Sequence, residues 1–175
     1  RALVVVHPQA DFFEGGSMHV PEAEAMVARV NHLRASHAWD VVVIVVLQRP
    51  LNHSALSSTN PGAEVFSVIP LPDTGPQVMQ PDVCIQGTDG AKIHSDLVTK
   101  PTGVCVCSPP APPQDSGLSG HGSEASSPMQ QVLLDARVTE LYFCGMLRGV
   151  TFNALDARLL MAEASVTVIM DACRG

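Results

Sequence analysis

Short, uninterrupted apolar runs alternate with helical patterns along this chain, and that alternation constrains its fold more than any other feature. Runs this short and continuous are typical of strands buried on both faces of a parallel sheet. The runs cover residues 2–6, 40–47, 103–108, 140–144 and 165–170, and helical patterns cover residues 21–36, 128–137 and about 150–164. Strand–helix–strand crossovers are right-handed and join parallel strands. The sequence therefore predicts a three-layer α/β fold, with a mainly parallel sheet and helices on both faces, as in Rossmann-like proteins.

The chain is long enough for one domain with a full core and too short for two ordinary ones. Of its 175 residues 46% are hydrophobic and 15% charged, which predicts a single domain over residues 1–175. The segment 48–103 is expected to be irregular, and the Pro/Ser/Gly-rich segment 108–128 to be a loop that either docks a partner or is a disordered insert. Because the chain opens on Arg1 without a methionine, its termini are expected to be incomplete.

Charge and hydropathy argue against two classes of function. The net charge is −7 and no basic cluster is present, which argues against direct nucleic-acid binding. No apolar stretch approaches the roughly 18 residues of a membrane span. The five cysteines contain no Cys-x-x-Cys pair and lie mostly in apolar runs, so we expect buried thiols and an intracellular reducing compartment, either the cytosol or the mitochondrial matrix.

Ligands of open α/β sheets bind beyond the carboxyl ends of the strands. His7 stands at the first such end and is either a general base or a polar residue at a strand-to-loop transition. The second end offers His53 beside Arg49, and a guanidinium opposes the binding of a divalent metal. Arg148 and Thr151 mark the last end, where helix N–H groups could hold an anion and Thr151 is expected to cap the helix.

Several motifs, taken in chain order, resemble the isochorismatase-like hydrolase superfamily and, within it, the nicotinamidases. The most specific is CIQGTDGAKIHSDL at residues 84–97. The others are the Gln9, Asp11 and Phe12 pattern, the Gly15–Gly16–Ser17 turn, Asn52–His53, Asp115–Ser116, ALDA at residues 154–157 and DACRG at residues 171–175. The resemblance covers essentially the whole chain and implies the isochorismatase-like α/β fold.

The resemblance also implies where catalytic residues should stand. The family hydrolyses its substrates with a cysteine nucleophile, an aspartate base and a lysine. The aspartate position is occupied by His7, the lysine position by Cys107 or Ser108, and the cysteine position by Gly149. In nicotinamidases an aspartate and three histidines hold a metal ion, and these four positions are occupied by Leu47, Arg49, His53 and Val83.

No intact catalytic set remains at these positions, and losing a nucleophile costs roughly 10⁶-fold in turnover. We therefore expect a catalytically inactive member of the family that needs no cofactor and acts as a structural or interaction subunit, with protein partners or as a homo-oligomer. The alternative is a divergent cysteine-type amidohydrolase for a small polar substrate, using His7, Arg49, His53 and Cys107. A third possibility is a small-molecule binder whose cleft holds an anion near Arg49 and Arg148. The remnant cleft itself is expected to be formed by His7, Arg49, His53 and Arg148.

Overall fold

The computed structural model of the chain describes residues 1–71, 75–99, 103–107 and 127–175, with the main chain alone over 103–107. The strands are β1 (Ala2–Val6), β2 (Val41–Val46), β3 (Val68–Leu71), β4 (Gly75–Val78), β5 (Gly103–Cys107), β6 (Glu140–Met146) and β7 (Ser165–Arg174). The helices are α1 (Ala23–Ser36), α2 (Pro128–Asp135) and α3 (Leu147–Leu160). Nearly all of the predicted loop at 108–128 lies outside the described residues, and so does Ser108.

Within the described residues, five strands form one sheet in the order β5-β2-β1-β6-β7. Every neighbouring pair in it is parallel. This arrangement confirms the predicted α/β fold. Because β1 lies between β2 and β6, the residues that follow these three strands meet at one edge of the sheet.

Alternate residues of β1 enter two separate cores, which is why the fold has three layers. Leu3 and Val5 pack in the cluster that contains the apolar side of α1. Val4 and Val6 pack on the other face, with residues of α2 and α3. A strand covered on both faces must be apolar at every position, and β1 is fully buried along its length. Among the described residues, no helix is long and apolar enough to cross a membrane.

Helix α1 buries the face that its sequence periodicity predicts, through Met26, Val27, Val30 and Leu33. It begins at Ala23, two residues later than predicted, because Glu22 adopts a left-handed backbone conformation with φ of 61°. Pro21 therefore belongs to the turn before the helix.

Three further elements differ from the prediction. The segment 48–103 contains an antiparallel hairpin of β3 and β4, whose short, partly exposed strands carry Pro70 and Pro76. Helix α3 begins at Leu147, directly after β6, so Thr151 lies inside it and donates to the Leu147 carbonyl (2.9 Å) instead of capping. Strand β7 continues past residue 170 to Arg174, because Cys173 and Arg174 pair with β6 after a register shift.

The side-chain amide of Gln9 joins the ends of the central strands to the segment 84–97. Its Nε2 donates to the carbonyls of Leu47 (2.7 Å) and Ala91 (2.9 Å), and its Oε1 accepts from the Leu47 N–H (2.6 Å). Gln9 is fully buried, so these hydrogen bonds are shielded from water.

Replacing Gln9 by the similarly sized methionine should destabilise the protein strongly. Gln9→Met leaves the two carbonyls and one N–H without this partner, and we expect a loss of about 2–5 kcal/mol in the free energy of unfolding. Chemical denaturation monitored by circular dichroism measures it. Gln86→Met, at an exposed position in the same segment, is the matched control and should change stability by less than about 0.5 kcal/mol. Equal losses in both variants would contradict the assigned role of Gln9.

Candidate functional site

A cavity of about 300 Å³ lies at the carboxyl ends of the central strands. It is enclosed by the residue after β1, the residues after β2, the start of α3 and the end of β7. Its lining includes His7, Leu47, Arg49, Phe66, Gln80, Arg148, Gly149 and Arg174. The strand order thus places the site where an open parallel sheet binds ligands.

His7 forms part of the cavity wall and is held firmly there. Its N–H donates to the Val45 carbonyl (2.8 Å), its φ is 53°, and only 3% of the residue is exposed. The imidazole stacks on the Phe12 ring with 6.3 Å between centroids. His7 is therefore positioned by main-chain and ring contacts from the end of β1.

Gly149, in the first turn of α3, lies directly against the imidazole of His7. A Cβ atom at position 149 would stand 2.5 Å from Nδ1 of His7, 2.6 Å from its Cε1 and 2.8 Å from Cγ1 of Val6. No side chain fits there unless His7 moves. The positions that the resemblance assigns to the carboxylate and the nucleophile are thus neighbours in space, and the ring of the first fills the space that the second would need.

The buried cysteines that the structure describes lie in the core. Cys144 on β6 contacts the Val4 carbonyl through its thiol (3.7 Å), and complete burial raises its pKa far above the usual thiol range. Burial also raises the pKa of Cys173. A thiol with a raised pKa is a poor nucleophile at neutral pH. Cys84 is buried as well. Cys107 is placed only by its main chain, which pairs with Val46 of β2.

The four metal positions implied by the resemblance do not fit a metal ion. Leu47 and Val83 are buried and pack in the core beside α1. Arg49 brings a cation. The imidazole of His53 accepts a hydrogen bond from the Ala55 N–H at Nδ1 (3.2 Å), and His53 is absent from the described cavity wall. Among the described residues, no group of three or more His, Cys, Asp or Glu side chains is arranged to hold a metal.

Arg49 is the most buried charged side chain of the cavity wall. Only 4% of the residue is exposed, and its guanidinium donates to the Gln80 side-chain carbonyl. Its main chain pairs with the segment 84–97, since its N–H donates to the Cys84 carbonyl (2.9 Å) and its carbonyl accepts from the Gln86 N–H (2.8 Å). The main chain of Arg49 is thereby held by the segment 84–97, and its guanidinium is held by Gln80.

Two more arginines reach the cavity from its outer side. Arg148 is exposed and lies over the Phe152 ring, with 6.0 Å from Cζ to the ring centroid. Arg174 at the end of β7 forms an ion pair with Glu22 (3.4 Å). Of the two lysines, Lys92 is bound to Asp89 on the surface outside the cavity wall, and Lys100 lies outside the described residues.

Asp11 binds the segment 84–97 to the turn that follows β1. Its carboxylate accepts from the Cys84 N–H (2.6 Å) and the Ser17 N–H (3.3 Å). Gly90 packs on the same carboxylate so closely that a Cβ atom there would stand 2.3 Å from its carbon. Within the family motifs, Asp11 and Gly90 therefore make structural contacts that hold the segments of the cavity wall together.

Fold and site together define an α/β protein with its cleft at the carboxyl edge of a parallel sheet. The isochorismatase domain matches residues 1–175, and the chain belongs to that family. The resemblance predicted from the motifs is thus confirmed.

Individual relatives are nicotinamidases. The chain is 32% identical to the nicotinamidase of Escherichia coli K12, with 100% of this chain and 83% of the relative covered. It is 30% identical to the nicotinamidase of Acinetobacter baylyi, over 99% of this chain and 81% of the relative. Among solved structures, the Acinetobacter baumanii nicotinamidase/pyrazinamidase superposes with a TM-score of 0.87 at 29% identity, over 99% and 84% of the two chains. The yeast nicotinamidase, at 23% identity and a TM-score of 0.84 over 99% and 87%, shows the same fold.

The structure brings only part of the predicted site set together. His7, Leu47, Arg49, Arg148 and Gly149 line one cavity, whereas His53 and Val83 are not among its described lining residues. Sequence analysis missed Phe66, Gln80 and Arg174, which also line it. Phe66 and Gln80 lie in the segment that was expected to be irregular. Arg174 belongs to the recognised DACRG motif, but the motif alone assigned no function to the arginine.

A side chain at position 149 should be costly because of His7. Gly149→Ala would gain helix propensity, but the clash with the imidazole should reverse that gain and destabilise the protein by about 1–3 kcal/mol. In a His7→Ala background, Gly149→Ala should lower the free energy of unfolding by no more than about half of that amount. The two substitutions together should therefore cost less than the sum of their separate costs in a double-mutant cycle. Denaturation of the four proteins measures the coupling. An equal cost in both backgrounds would show that His7 does not limit the space at Gly149.

Proposed function

We propose that this chain is a catalytically inactive member of the isochorismatase family that acts as a structural or interaction subunit. The observation that carries the proposal is the contact of His7 with Gly149. The nucleophile position holds no side chain, and the imidazole occupies the space in which one would stand. Hydrolysis in this family type, as the resemblance implies, begins with attack by a side chain at that position.

The metal positions support the same proposal. Leu47 and Val83 offer no ligand atom and are buried in the core. Arg49 adds a positive charge at the cavity wall. Meanwhile Gln9, Asp11 and Gly90 retain contacts that stabilise the fold alone. A scaffold that no longer catalyses hydrolysis would lack the catalytic and metal-binding side chains but keep the residues that stabilise the fold. This combination is possible because fold and function are separable.

The alternative is a divergent cysteine-type amidohydrolase for a small polar substrate. It is favoured by the identity to two nicotinamidases over nearly the whole chain and by the retained cavity. In that case Cys107 would supply the thiol, with His7, Arg49 and His53 assisting.

A nicotinamide hydrolysis assay separates the two. Because removing a nucleophile costs roughly 10⁶-fold, we expect ammonia release at least about 10⁵-fold slower than that of the E. coli nicotinamidase, with or without added Zn²⁺, Mn²⁺ or Fe²⁺. Metal-dependent turnover that His53→Ala or Cys107→Ser abolishes would overturn the proposal and favour the amidohydrolase.

Exposed leucines on the outer side of α3 support the interaction role. Leu155 and Leu159 are one helical turn apart and are 55% and 78% exposed. Two-fold dimers bury the same patch of both subunits, and homodimer interfaces are more apolar than the remaining surface. We therefore propose a second copy of this chain as the partner. The buried thiols of Cys144 and Cys173 support residence in a reducing compartment, the cytosol or the mitochondrial matrix.

Sedimentation velocity tests this interface. The unmodified chain should sediment as a dimer or larger oligomer at micromolar concentration, and Leu155→Gln/Leu159→Gln should shift it to monomer because the shared apolar patch is removed. Leu51→Gln/Val98→Gln removes two exposed apolar side chains elsewhere and should leave the oligomer intact. A monomeric unmodified chain, or equal dissociation in both double variants, would contradict the proposed interface.

A further inference from the structure

An open strand edge forms one side of a second cavity, which shares no lining residue with the cavity that contains His7. Strand β7 is the last strand of the sheet and pairs with β6 alone among the described residues. Its ladder with β6 is regular over residues 165–168, and no other main-chain hydrogen bond is described for residues 166–170. An edge strand of this kind presents unpaired N–H and C=O groups to its surroundings.

The sequence of this edge lacks the residues that usually prevent pairing with another strand. Residues 165–170 (SVTVIM) contain no proline and no charged side chain, and residues 166–169 are all β-branched. Proteins commonly protect an exposed edge with prolines or lysines, whereas β-branched residues are enriched in strands. The register shift with β6 follows Val168. The regular edge is therefore short and can accept a short additional strand.

A groove of about 580 Å³, the β7 groove, lies beside this edge on the side of α1. Its wall includes every residue of β7 from Thr167 to Asp171, together with Leu33, Trp39 and Tyr142. The indole of Trp39 is held in place, because its Nε1–H donates to the Leu33 carbonyl (2.9 Å) and its ring meets that of Tyr142 edge-on, with 5.4 Å between centroids. Peptides that add a strand to a sheet use both features, since main-chain pairing supplies affinity and a neighbouring pocket selects a side chain.

The charges around the edge favour a basic partner. Two charged residues of the groove wall are already neutralised, because Asp171 pairs with Arg29 (2.8 Å) and Arg1 pairs with Glu140 (3.1 Å). Glu163 is exposed, lies just before β7 and forms no described ion pair. The carboxylate of Glu163 and the net charge of −7 on the whole chain therefore attract a positively charged segment.

We infer that the outer edge of β7 binds a short, extended, basic segment of a partner protein. The segment adds to the sheet as a further strand and places an apolar or aromatic side chain in the β7 groove beside Trp39. The inference rests on the proposed interaction role and deepens it, because it names the kind of partner. It involves neither Leu155 and Leu159 of α3 nor the cavity wall around His7.

Fluorescence anisotropy with labelled heptapeptides tests the inference on the full chain. The probe has a lysine at each end and valine, threonine, phenylalanine, threonine and valine between them, so that valine and phenylalanine share one face of the strand. We expect a dissociation constant of about 10–100 μM, and at least about tenfold weaker binding when glutamate replaces both lysines. No detectable binding up to about 1 mM, or equal affinities of the two peptides, would overturn the inference.

N-methylated peptides separate strand addition from contacts made by side chains alone. Alternate residues of an extended peptide direct their N–H groups to opposite edges, so methylation of every second amide blocks pairing on one edge only. We expect one of the two methylation patterns to weaken binding at least about tenfold and the other to weaken it less than about threefold. Equal effects of the two patterns would show that no strand is added.

A pair of variants locates the binding. Met170→Lys adds a positive charge to the wall of the β7 groove and should weaken binding of the basic peptide at least about fivefold. Leu51→Lys makes the same change in net charge outside the groove and should change the affinity by less than about twofold. Met170 and Leu51 are 61% and 69% exposed, so both variants should fold. Equal weakening by both substitutions would show that the peptide responds to net charge and would overturn the site.

A second copy of the chain is the competing occupant of the edge. Sedimentation velocity of Met170→Lys distinguishes the two, because the variant should keep the oligomeric state of the unmodified chain. Dissociation of an oligomer by this substitution would show that β7 pairs with a second copy and would overturn the inference. The peptide titrations measure neither turnover nor association through α3, so their failure is distinct from a failure of the proposed function.

Discussion

The buried amide of Gln9 is the contact on which the rest of the site depends. It satisfies main-chain groups of Leu47 and Ala91, which belong to segments far apart in the chain. A parallel sheet leaves the main chain unpaired wherever a strand ends, and buried groups of this kind need partners. One side chain supplies them for two segments at once, and so it fixes the distance between the central strands and the segment 84–97. Asp11 holds the same segment by a second contact, because its carboxylate accepts a hydrogen bond from the Cys84 N–H. The hydrogen bonds of Gln9 and Asp11 therefore hold the cavity wall in position independently of any reaction in the cavity.

That dependence explains which residues of the family pattern persist here. Gln9, Asp11 and Gly90 are held by contacts in which a different side chain would leave a buried group unsatisfied or clash at 2.3 Å. The positions of the catalytic set carry no such constraint, because a side chain that faces a cavity can change without disturbing the core. His7 and Gly149 are mutually compatible, because the imidazole of one packs against the main chain of the other. A thiol at Gly149 would therefore require His7 to move as well.

Elements of the fold could be predicted from the sequence wherever a single physical cause determines the local structure. Strand β1 was predicted over the residues that it occupies, because burial on both faces forces a continuous apolar run. The start of α3 was misplaced, because Met146 precedes the helix without a capping side chain and the apolar sequence gives no break between strand and helix. The hairpin of β3 and β4 was missed because its strands are partly exposed and contain prolines. Leu47, Arg49 and Gly149 could be assigned to the site from the resemblance alone. The approach of Gln80 and Phe66 depends on how the segment 48–103 folds back, which no local pattern encodes.

The chemistry of Arg49 differs from that of the metal ion that the resemblance implies. In the pattern that the resemblance implies, a carboxylate and a divalent ion together contribute one positive charge beside the central strands. Here Leu47 replaces the carboxylate, and the guanidinium of Arg49 contributes one positive charge by itself. A guanidinium is a covalently attached group with a fixed fork of donors, whereas a metal ion has open coordination positions. A metal can polarise a bound group and activate water, whereas a guanidinium can only donate hydrogen bonds and attract an anion. A guanidinium at position 49 therefore could not activate a bound group in the way that the implied metal ion would.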